Sequence, residues 1–187
     1  MKRVAIFVWL AVLLSSAALA VEEEQLVIAS REAVKQLGGE LNGELKKAMK
    51  SGGPIQAIDV CKRMAPEIAA RVSEKRGWRV GRTALKVRNA ANAPDGWERE
   101  VLKDFEKRKA SGEDLQKMEY FSIVEEGGKP YFRYMKVIPT GGLCLICHGR
   151  NIEGNLRERL DTLYPKDQAR GFRPGHIRGA FTVTQPM

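Results

Sequence analysis

Tyr131-Phe132-Arg133-Tyr134-Met135-Lys136-Val137-Ile138-Pro139-Thr140-Gly141-Gly142-Leu143-Cys144-Leu145-Ile146-Cys147-His148 is the stretch on which the fold turns. Its first half, Tyr131 to Ile138, alternates aromatic or apolar residues with polar ones, the two-residue period of a strand. Met118 to Val124 is a second β-favouring run, and Glu125 to Pro130 between them carries Gly127-Gly128. The pair predicts a hairpin. Pro139-Thr140-Gly141-Gly142 then leads straight into the cysteines, so these are expected in a loop leaving a strand. Two cysteines with two residues between them, followed at once by histidine, read as a c-type haem attachment site. Cys144 and Cys147 each add to one haem vinyl group, and His148 is then held at the iron as an axial ligand. A disulfide or half of a zinc site uses the same spacing. Zinc usually needs a second Cys/His pair, and the chain has one other cysteine, Cys61, and one other histidine, His176.

Upstream, the apolar residues Leu26, Ala29, Ala33, Leu37, Leu41, Leu45 and Met49 recur every three or four positions and predict a helix over Glu22 to Met49. Gly38-Gly39 and Gly43 are expected to bend or break it. Ser51-Gly52-Gly53-Pro54 reads as a stop and restart, with a second helix to about Lys75 and a kink at Pro66. Cys61 lies on the apolar stripe of that helix, where spacing alone favours a buried free thiol. Trp78 to Thr83 reads as a strand, and Leu85 to Asn89 as a strand or a loop. Asn89 to Gly96 is turn-rich, and Asp95 is placed to cap a helix over Gly96 to Ala110 with Trp97, Val101, Leu102 and Phe105 inward. A short helix over Asn155 to Leu163 and a last strand over Gly179 to Thr184 complete the chain. Two helices followed by antiparallel strands with helical insertions predict an α+β fold, one sheet packed against helices. Small all-helical cytochromes c place the haem motif early; here it comes late and follows a hairpin.

The start of the chain reads as an export signal rather than part of the fold. Lys2-Arg3 precede an apolar run from Val4 to Leu14, and Ala18-Leu19-Ala20 precedes an abrupt acidic turn at Glu22-Glu23-Glu24. Residues 1–20 are therefore expected to be a signal peptide and residues 21–187 a single domain in a periplasm-like compartment. No later stretch is long and apolar enough to span a bilayer. The formal charge of +9 includes Lys2 and Arg3, and the remaining charges are mixed along the chain. No nucleic-acid motif accompanies them. An acidic redox partner would find such a surface attractive.

Several segments together resemble a family of single-haem c-type domains with a PAS-like fold, long catalogued as a domain of unknown function. The resemblance runs from about Ala57 to Val183. It rests on Ala57-Ile58-Asp59-Val60-Cys61, on Arg88 to Pro94 with Trp97-Glu98, on the cysteine motif, and on Tyr164 to Ala169 with Gly175 and Ile177-Arg178-Gly179-Ala180. It implies a PAS-like antiparallel sheet, one covalent haem c, and Cys61 as the second axial ligand opposite His148. Gly96 stands where the family often has proline. Rivals for the sixth position are His176, Met64, Met118 and Met135. Arg88, Arg173 and Arg178 are candidate partners for the haem propionates.

Three functions fit a haem of this kind. A redox or gas sensor would change ligands on reduction, exchange Cys61 for carbon monoxide or nitric oxide, and signal through a protein partner, since no output domain is present. An electron carrier would keep both ligands. A haem enzyme needs an open iron position, which Cys61 would close.

Overall fold

The computed structural model describes residues 4–187, with side chains from Val21 onward. The export signal expected over residues 1–20 lies outside the described side chains. Helix α1 runs Val4–Asp59 with one interruption at Gly53, where φ is 68° and ψ is −162°. Glycine alone takes that conformation without strain, and the chain reverses there. α2, Ala65–Arg76, returns along the first half of α1. Arg71 meets Glu40, and Arg76 Nη2 donates to the side chain of Gln36. The expected break at Gly38-Gly39 does not occur. A Cβ on Gly38 would meet the Phe181 ring at 3.0 Å, so the glycine serves close helix–sheet packing rather than a bend.

Between the two helices lies a single π turn, Val60–Met64. Pro66 has no N–H to give to Lys62, and the Ala65 N–H reaches back five residues to the Val60 carbonyl. The expected kink at Pro66 is thus taken up as a widened turn.

Strands β1 (Arg79–Thr83), β2 (Glu119–Glu126), β3 (Lys129–Pro139) and β4 (Ile177–Pro186) form one antiparallel sheet in the order β1-β4-β3-β2. The β2–β3 turn uses Gly127 and Gly128 at φ 61° and 74°, the two left-handed positions that a two-residue hairpin needs. One face of the sheet packs on the helical hairpin through Val80, Phe132, Tyr134 and Val183 against Leu37, Ile68 and Val72. The opposite face packs on α3, Gly96–Ala110, through Met118, Met135, Val137 and Ala180 against Val101, Leu102 and Phe105. Each of these large side chains contributes about 1.5–3 kcal/mol on burial. α3 starts at a capping box of Asp95 and Glu98, the cap expected from the sequence. Arg133, buried on β3, draws Asp95, Glu98 and Glu126 together and stacks on Trp97.

α4 (Gly142–His148) and α5 (Gly154–Leu163) lie between β3 and β4. The segment 85–89, expected as strand or loop, is a loop. Ile58 of α1 packs on Ile152, Leu156, Leu160 and Tyr164, which ties α5 and the cysteine motif to the end of α1. Among the described residues no helix is long and apolar enough to cross a membrane.

Candidate functional site

The cysteine motif is helical, not the loop expected from Gly141-Gly142. Gly141 is the N-cap of α4, and Gly149 closes it by donating its N–H to the Leu145 carbonyl at 2.8 Å. A Cβ on Gly149 would collide with that same carbonyl oxygen. About two turns of helix bring Cys144, Cys147 and His148 to the same wall of a cleft. Cys61, from the π turn, faces the same cleft, with Leu45, Met49, Val87, Ile138 and Leu143 as its apolar lining. The open space is about 860 Å³ with the mouth and adjoining solvent included. The three cysteines are free thiols. Among the described residues no three His, Cys, Asp or Glu side chains converge tightly enough to hold a bare metal ion. The four donors share a cleft rather than a point, which suits a group of molecular size.

His148 Nδ1 lies 2.7 Å from the Ala169 carbonyl oxygen. A carbonyl only accepts, so Nδ1 carries the proton and Nε2 keeps its lone pair. Burial, then the neighbouring Arg178 and Arg88 guanidiniums, hold the imidazole pKa well below its usual value, against the hydrogen bond to Ala169. The ring is therefore neutral, as a metal ligand must be. Burial pushes the Cys61 thiol up, although Arg82, Arg88 and Arg178 pull the other way. Burial likewise pushes Cys147 up. As it stands the cleft keeps these thiols protonated.

Arg88 crosses behind the motif. It pairs with Asp167, their side chains 8% and 1% exposed, and its Nη2 donates to the Cys147 carbonyl at 2.6 Å. Asp167 also accepts from the Ala169 N–H at 2.8 Å. One carboxylate thus fixes both the motif and the carbonyl that orients His148. Of the other arginines singled out in the sequence, Arg178 lines the cleft, whereas Arg173 is exposed and outside it.

The rival axial groups lie elsewhere. Met118 and Met135 are buried on the α3 face of the sheet, and Met64 packs between α1 and α2. His176 stands across the Phe172 ring and lines an adjoining depression with Lys86, Glu106 and Lys109, on the other side of Arg178 and Gly179 from the cleft. The nearest methionine in the cleft wall is Met49. Arg82 is also in the wall, and neither residue was singled out in the sequence. A signal for Arg82 did exist: strand alternation places it on the same face as buried Val80, where a charge needs a reason.

The Tll0287-like family model matches residues 15–186. The chain belongs to the Tll0287-like family. A solved structure described as the crystal structure of the cyanobacterial heme-protein Tll0287 is similar to it at 25% identity and a TM-score of 0.64. The match covers 89% of this chain and 96% of that one. No curated protein matches the chain. Membership of the Tll0287-like family fits a mixed α+β fold with a single antiparallel sheet.

Proposed function

We propose that residues 21–187 form an exported single-haem c-type protein with a PAS-like sheet, working as a redox or gas sensor. The observation that carries it is the meeting of Cys144, Cys147, His148 and Cys61 on one cleft. The similar cyanobacterial protein is described as a heme-protein, which supports it. Cys144 and Cys147 would hold the haem by adding their S–H bonds across its two vinyl groups, and His148 and Cys61 would be its axial ligands. When bound, haem supplies an iron that gains or loses one electron and a visible spectrum that reports its ligands.

The rest is work for the chain. Ala169 fixes the His148 tautomer. Leu45, Met49, Val87, Ile138 and Leu143 exclude water and lower the local dielectric. Cys61 would close the sixth position and so disfavour turnover. It is also the residue whose attachment and release would distinguish two signalling states. An electron carrier is the second reading, favoured by Ile146, which is 37% exposed on the motif itself. A carrier would keep Cys61 in place in both oxidation states.

The test begins with protein made in a host that attaches c-type haem. Acidic organic solvent should leave the haem on the polypeptide, and N-terminal sequencing should begin near Val21. Ferric spectra should show low-spin histidine/thiolate ligation that Cys61→Ala abolishes. Identical ferric spectra with and without Cys61 refute its role. Ferrous wild type should bind carbon monoxide more slowly than the Ala variant; no binding at all in wild type favours the carrier.

A further inference from the structure

Buried arginines in this fold face carboxylates. Arg133 sits among Asp95, Glu98 and Glu126, and Arg88 faces Asp167. Arg82 and Arg178 break the pattern. Both line the cleft, and the residues around it include no Asp or Glu. Among the described residues neither makes an ion pair. Arg178 has one long bond, Nη1 to the Lys86 carbonyl at 3.4 Å, and its side chain also lies over the Phe172 ring. Arg82 has no side-chain hydrogen bond among the described residues. The other titratable groups in the wall are Cys61, Cys144, Cys147, His148 and Arg88. Behind it Asp167 acts on Arg178 and Tyr164 on Arg82, and Glu106, Lys86, Lys109 and His176 border the depression on the far side of Arg178, but Asp167 is already paired with Arg88. Half-buried at an apolar cleft, with Asp167 acting on Arg178 only at a distance and no carboxylate bonded to either, the two guanidiniums are under-compensated, so the cleft suits a ligand that brings negative charge. A single thiolate from Cys61 would balance only one of them.

We propose that Arg82 and Arg178 are the cations that hold the two propionate carboxylates of the bound haem, Arg88 being committed to Asp167. This rests on the haem reading above. Arg82 comes from β1 and Arg178 from the start of β4, neighbouring strands of the sheet. Gly179 lets these segments approach: at φ 156° a Cβ there would collide with the Thr83 carbonyl. The guanidinium fork suits a carboxylate.

The test uses haem-loaded protein and Arg82→Gln, Arg178→Gln, both together, and the two Lys variants. The midpoint potential is followed between about pH 5 and 9. A propionate beside a guanidinium stays ionised; without it, partial burial raises its pKa into this window. Each Gln variant should therefore add a segment in which the potential falls with pH, absent from wild type. The double variant should add two, and the Lys variants none. Profiles parallel to wild type with haem retained overturn the proposal. Loss of the Cys61 spectral signature without a new pH segment also overturns it, since the arginines would then serve the sulfur. A second measurement needs no variant. In wild type with haem isotopically labelled at the propionate carbons, infrared spectra should show carboxylate bands and no protonated carboxyl band at neutral pH. A protonated band there overturns the proposal. Extractable haem, or none, in wild type defeats the haem reading instead.

Discussion

Asp167→Ala tests the polar framework behind the motif. The carboxylate is 1% exposed and its partner Arg88 is 8% exposed. Its Oδ2 accepts from Arg88 Nε at 3.0 Å and Arg170 Nε at 2.8 Å, and its Oδ1 accepts from the Ala169 N–H at 2.8 Å. Removing it strands Arg88 beside Arg82 and Arg178, with no carboxylate in the cleft wall. Breaking one side of a buried pair costs about 3–5 kcal/mol. The more exposed Arg170 keeps its bond to Asp161 and adds less than about 1 kcal/mol. Urea unfolding should report a loss of about 3–5 kcal/mol, and at about 2–4 °C per kcal/mol for a chain of this size Tm should drop by about 6–20 °C. Arg88→Met/Asp167→Leu should recover most of it, because the penalty belongs to the uncompensated charge and not to the lost bond. A loss below about 1 kcal/mol for Asp167→Ala, or a double variant as unstable as the single, would refute the reasoning.

Pro66→Ala restores an N–H to position 66, so the π turn should relax toward α geometry and turn Cys61 away from the cleft; the ferric spectrum should shift toward that of Cys61→Ala while stability changes by only about 1 kcal/mol. Gly149→Ala should cost about 1–3 kcal/mol in urea unfolding, since its Cβ meets the Leu145 carbonyl and the end of α4 must move. Burial works to raise the Asp95 pKa, but the Arg133 guanidinium and the Glu98 N–H hold it below its usual value. The stability it contributes is therefore present above about pH 4 and lost as pH falls through the lower folded value, and Asp95→Asn should flatten the acid limb of the stability curve.

What the sequence disclosed was local. Asp95 and Glu98 are three residues apart, and Gly127-Gly128 are adjacent, so cap and hairpin are written in single short segments. The helical state of the motif was hidden. Seven residues are too few for a helical period to show, and Gly141-Gly142 reads as a loop although Gly141 is a cap. The pairing of Arg88 with Asp167 joins residues 79 apart, and no periodicity reaches that far. Arg82 is legible only in part: alternation puts it on the face of buried Val80, but a strand of five residues does not show that this face borders a cleft. Cys61 was placed inward by its stripe, but a widened turn leaves that spacing intact.

That turn bears on what Cys61 can do. In an ordinary α-helix every carbonyl has its own N–H four residues on, and rotating one side chain out of register breaks bonds on both sides. Around Cys61 the ladder is already out of step, because Pro66 leaves Lys62 without an α-helical donor and Ala65 reaches back to Val60. Moving the Ala65 N–H from the Val60 carbonyl to that of Cys61 exchanges one backbone bond for another and loses none. The π and α forms of this turn therefore differ by far less than a broken helix would cost, and they aim Cys61 in different directions. Two states separated by a few kcal/mol are what the sensor proposed above requires. Asp59, just before the turn, reaches Arg159 of α5 at 3.8 Å in an exposed pair, and Ile58 beside it packs on Leu156 and Leu160 of the same helix, so the turn and α5 are in contact.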